Sequence, residues 1–85
     1  MGSGSLASPI DRVRRLASLR VGTRAVVVRV TGNDLHRVER LTALGVTPGA
    51  LVRVLQRFPG FVFECDQTEL AVEPSVARAI LVDVR

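Results

Sequence analysis

One junction constrains this chain more than any other part of it. In "LHRVERLTALGVTPGALVRVL", residues 35–55, the apolar side chains Leu35, Val38, Leu41 and Leu44 recur at helical spacing, while His36, Arg37, Glu39 and Arg40 fall elsewhere. That pattern predicts an amphipathic helix of about three turns over 34–44. Gly45 stands where a helix closes on a left-handed residue, and Pro48 keeps the helix from resuming. Pro48-Gly49 suits the central pair of a type II turn, since proline fixes φ and glycine accepts a positive one. A helix, a stop, a tight turn and a strand must therefore follow one another within about twenty residues.

The flanking sequence is strand-like. "RAVVVRV", 24–30, is β-branched and bounded by Gly22 and Gly32, which predicts a buried strand. "LVRVLQR" (51–57), "FVFECD" (61–66) and "ELAVEP" (69–74) read as three strands, joined by "FPG" and by a short turn at Gln67-Thr68. In the middle run Phe61, Phe63 and Cys65 share one face, and Val62, Glu64 and Asp66 share the other. "PSVARAI" predicts a helical turn and "LVDVR" a last strand, while Asn33 is the candidate cap of the 34–44 helix. Toward the N-terminus, Ser8, Pro9 and Asp11 suit the start of a short helix. Five short strands with one inserted helix are too few for a sandwich, so the fold class expected is mainly β with a helical insert, a small SH3-like antiparallel barrel. The opening "MGSGS" reads as a cloning scar, which sets residues 1–8 aside as scar and flexible tail and leaves 9–85 as a single domain.

Composition narrows the function. All twelve basic residues are arginine: residues 1–57 hold ten of them against three acids, and residues 58–85 hold two against five. A basic half facing an acidic half favours association with nucleic acid, an anionic membrane surface or an acidic protein. No apolar run approaches the roughly 20 residues needed to cross a bilayer as a helix. The single cysteine, Cys65, has no partner for an internal disulfide, which suits a reducing cytosol.

Chemistry is sparse. The chain has no Gly-rich phosphate loop, no Cys-x-x-Cys and no His-Glu-x-x-His, so no cofactor and no catalytic residue is expected. His36, the only imidazole, falls on a helix surface beside Arg37 and Glu39, and Cys65 shares a face with two phenylalanines, where a thiol behaves as a small hydrophobe. Glu64 and Asp66 face the same way, but two carboxylates fall short of the 6–8 oxygens that calcium takes, and no metal ligand is assigned. Direct nucleic-acid contact is not expected, because only Phe58, Phe61 and Phe63 are aromatic and two of them are committed to packing. Arg37 and Arg40, on the outer face of the helix, are the candidate partner-binding residues, their guanidinium groups being suited to a phosphate or a carboxylate. Gly45, Pro48 and Gly49 are structural turn residues, and an exposed strand edge leaves self-association open.

The stretches "LASLRVGTRAVVVRV", "RLTALGVTPGALVRVL" and "LAVEPSVARAILV" resemble the FeoA family of bacterial ferrous iron transport, and equally the C-terminal domain of iron-dependent repressors of the diphtheria toxin repressor family. The resemblance spans about residues 16–84 and rests most on Arg40-Leu41, Leu44-Gly45 and Pro48-Gly49, with Ala77 and Ile80 in support. It implies an SH3-like barrel. For a stand-alone protein it implies a cytoplasmic partner of FeoB, the membrane GTPase that imports ferrous iron, peripheral to the membrane through that partner. For a detached module it implies a repressor whose DNA-binding part lies upstream.

Overall fold

The computed structural model describes residues 13–85. Six strands and two helices follow one another: β1 (Val13–Arg15), a 3-10 turn (Leu16–Ser18), β2 (Arg24–Val30), α1 (Leu35–Ala43), β3 (Leu51–Gln56), β4 (Phe61–Cys65), β5 (Thr68–Val72), α2 (Pro74–Ala79) and β6 (Ile80–Val84). The strands form one antiparallel sheet in the order β1-β6-β2-β3-β4-β5.

Six strands laid flat would put β1 and β5 about 24 Å apart at the usual spacing of ~4.8 Å. Yet Leu16 beside β1 and Leu70 on β5 belong to the same buried cluster, with Val27, Val54, Phe63, Ile80 and Val82 between them. The sheet must curl around that core. Two register shifts help it do so, in β2 between Val27 and Arg29 and in β3 between Val54 and Gln56, since an extra residue bends a strand and sharpens its twist. Strand alternation fills the inside, with Phe61, Phe63 and Cys65 buried and Val62 and Glu64 half-exposed between them. The two phenylalanine rings lie 6.3 Å apart at 53°, the tilted arrangement aromatic pairs favour.

The central junction is held by backbone bonds. Asp34 caps α1, its carboxylate accepting from the Arg37 N–H at 3.1 Å. At the other end Gly45 has φ +94°, its N–H donates to the Thr42 carbonyl at 3.0 Å, and the Val46 N–H donates to the Leu41 carbonyl at 2.9 Å. That is the paired closure of a helix end in which a left-handed residue satisfies the last carbonyls, with the buried Val46 beside the buried Leu41. In the turn that follows, the Ala50 N–H donates to the Thr47 carbonyl at 2.9 Å, with Gly49 at φ +93°. The turn is then stitched to β2, the Gly49 N–H donating to the Val27 carbonyl and the Val27 N–H to the Ala50 carbonyl, both at 2.8 Å. The β2–β3 ladder thus extends two residues past the end of β3.

Several expectations need correction. The N-terminal helix beginning at Ser8 lies outside the described residues, but its continuation is strand and 3-10 turn. In a 3-10 turn, side chains three apart eclipse, and Leu16 and Leu19 accordingly both enter the core. The sheet has six strands because β1 adds to β6. Asp34, not Asn33, caps α1. The β4–β5 turn is Asp66-Gln67, both at positive φ (48° and 74°), with Cys65 opposite Thr68, a two-residue loop whose twist matches the strands. The helical stripe is only partly used: Leu41 is buried, whereas Leu35 and Leu44 are 73% and 49% exposed.

Candidate interaction site

α1 is inserted between two paired strands, β2 and β3. Its inner side and the β5–α2 segment enclose an open groove of about 600 Å³. Arg37 and Arg40 line one wall with Leu41 and Leu44, and Ala71 and Pro74 lie on the opposite wall. Arg40 is exposed and Arg37 half-buried. Neither makes an ion pair with a described residue. The groove therefore offers two guanidinium groups beside the half-exposed Leu44, which suits a ligand bearing a carboxylate or phosphate next to an apolar group. Asp34 and Glu73 also border it, so its field is mixed rather than uniformly basic.

Of the other residues singled out by sequence, His36 also borders this groove; it is exposed, with Nδ1 4.0 Å from the Glu39 carboxylate on the same helix. Cys65 is buried, and its thiol donates to the Gly45 carbonyl at 3.5 Å, tying the end of β4 to the helix terminus. Burial pushes the Cys65 thiol above its usual pKa, and the neighbouring Asp66 charge adds to the shift. Glu64 and Asp66 border one pocket together with Arg24 and Arg53; the Glu64 carboxylate lies 3.7 Å from the Arg53 guanidinium, and Asp66 belongs to the tight turn. Across the outer face, cross-strand pairing aligns Arg24, Arg53, Glu64 and Glu69 in a row running from basic to acidic. Among the described residues no three histidine, cysteine or acidic side chains are grouped closely enough to hold a metal ion, and no helix is long and apolar enough to cross a membrane.

The sequence reading passed over a second groove, of about 670 Å³, under the β3–β4 loop. Phe58 and Pro59 form its tip, and Arg15, Arg57 and Arg78 surround it. The signal for it was present in "RFPGF": an aromatic residue at a hairpin tip has no neighbouring strand to pack on.

Known structures share this architecture. A FeoA protein from Chlorobium tepidum is 30% identical, matched over 84% of this chain and 70% of that one, with a TM-score of 0.76. A FeoA from Stenotrophomonas maltophilia, described as an SH3 domain protein and complexed with zinc, is 28% identical over 80% of this chain and 87% of its own, with a TM-score of 0.72. T. acidophilum IdeR shares the fold at 20% identity and a TM-score of 0.79, and this chain spans only about a third of it, 34%. No curated protein matches the chain. The curled six-stranded sheet is thus SH3-like. With the FeoA domain model matching residues 14–84, the chain belongs to the FeoA domain family.

Proposed function

We propose that the domain is a non-enzymatic, cytoplasmic interaction module, an accessory or regulator of the ferrous iron transporter FeoB. The observation that carries this reading is the groove in which Arg37 and Arg40, free of ion pairs with described residues, lie beside the half-exposed Leu44 at the end of α1. Membership of the FeoA domain family supports a place in ferrous iron transport. Two guanidinium groups beside an apolar side chain suit recognition of a carboxylate or phosphate.

The test is capture of the transporter from membranes by the purified domain, comparing the parent with Arg37→Glu/Arg40→Glu. Exposed charges set association rate and salt dependence more than stability. The double variant should therefore fold, by circular dichroism, and bind at least ten-fold more weakly at low salt. Equal capture by both proteins would move the interface elsewhere.

A second reading has its own support. The fold matches T. acidophilum IdeR and a manganese-dependent transcriptional repressor with TM-scores of 0.79 each, and the reading proposed from that shared fold is the C-terminal module of a metal-dependent repressor. A DNA-binding segment encoded in frame ahead of Leu6 would decide for it.

A further inference from the structure

We infer that the β3–β4 loop is a contact site for an anionic lipid surface, with Phe58 as the inserted group and Arg15, Arg57 and Arg78 as the headgroup contacts. Phe58 is 86% exposed, the most exposed large apolar side chain among the described residues. It projects from the tip of a hairpin. The tip sequence Phe58-Pro59-Gly60 carries no charge. Pro59 has no N–H to satisfy, and the Gly60 carbonyl already accepts from the Gln56 side-chain amide at 3.1 Å. The loop is also anchored at its base, where the Arg57 guanidinium donates to the Ala17 carbonyl at 3.2 Å.

Charge complementarity selects the occupant. Three arginines border the groove beneath the tip and no acidic residue does, and none of the three makes an ion pair with a described residue. An acidic peptide would satisfy the charges, but it would also need a socket for its own apolar anchor. Here the apolar group is the protruding partner, which favours a fluid interface that closes around it. Each arginine held near an anionic surface contributes roughly a five-fold factor in binding, and the contribution fades within a Debye length.

The test uses the purified domain without any protein partner, so its outcome is independent of the transporter reading. The chain contains no tryptophan, and Phe58→Trp therefore places a single fluorophore at the tip. With vesicles of equimolar phosphatidylglycerol and phosphatidylcholine at low salt, its emission should shift to the blue, and pure phosphatidylcholine vesicles should leave it unchanged. In co-sedimentation, Phe58→Ser should weaken binding about ten-fold at unchanged charge, and Arg78→Glu, which changes two charges, about 30-fold. Circular dichroism establishes that both variants fold, and Arg15→Glu provides a second charge reversal should Arg78→Glu unfold. Unchanged tryptophan emission on anionic vesicles would overturn the proposal. So would binding unaffected by Phe58→Ser, or an equal blue shift with soluble polyglutamate.

Discussion

The Cys65 thiol gives this chain an unusually clean alkaline titration. Burial, and then the Asp66 charge, raise its pKa above the ordinary 9.0, so the folded state holds the proton more tightly than the unfolded one. Stability from this source is complete below the unfolded pKa and is lost as pH rises toward the folded one. The chain has no lysine and no tyrosine, and arginine stays charged throughout. Between about pH 9 and 11 Cys65 is thus the only side chain expected to titrate. Urea melts across that range should show stability falling with pH in the parent and staying level in Cys65→Ala, whatever that variant loses from the lost packing. Parallel slopes would mean that the thiol ionises as readily folded as unfolded. The residue also links two features that sequence shows separately, because its hydrogen bond ends on the carbonyl of Gly45, the residue that stops α1.

α1 is held at its ends and by one buried side chain rather than along a whole face. Leu41→Ala should cost about 2–4 kcal/mol, the usual range for a buried leucine, and Leu44→Ala within about 0.5 kcal/mol, as at an exposed position. Guanidinium melts of the two variants check this, and similar losses would show that the full stripe is packed. The contrast also shows what sequence makes legible. Periodicity identified the helix and the side its leucines share, and Gly45 with Pro48-Gly49 marked its end, because those signals are local. Whether a leucine on that side meets a neighbour depends on chain about thirty residues away, and sequence spacing carries no such information. The same limit hid β1, a three-residue strand with two arginines that exists through pairing with β6. It also displaced the β4–β5 turn, where Asp66 and Gln67 take positive φ without the usual glycine. Of the candidate groove, the wall bearing Arg37 and Arg40 could be read in advance, and the wall at Ala71 and Pro74 could not.

At the scale of the molecule, charge and connectivity divide the barrel differently. Charge grades across the outer sheet from Arg24 and Arg53 to Glu64 and Glu69, an orientation cue for any charged partner. Connectivity is less even. β2 to β5 are neighbours in sequence and in space, whereas β6 lies between β1 and β2 and is, among the described residues, the only strand β1 pairs with. Removing residues 80–85 should therefore do more than trim an end, since it unpairs β1 and takes Ile80 and Val82 from the core. The truncated chain should show no cooperative thermal transition by circular dichroism, and a sharp one would mean that the β2–β5 meander is stable unaided. During synthesis the same arrangement acts as a delay. The ribosome releases Ile80–Val84 after every strand they join, so the nascent chain carries an open meander with a bare edge on β2 until β6 arrives, and this is the interval in which a chaperone or a second nascent chain could reach that edge.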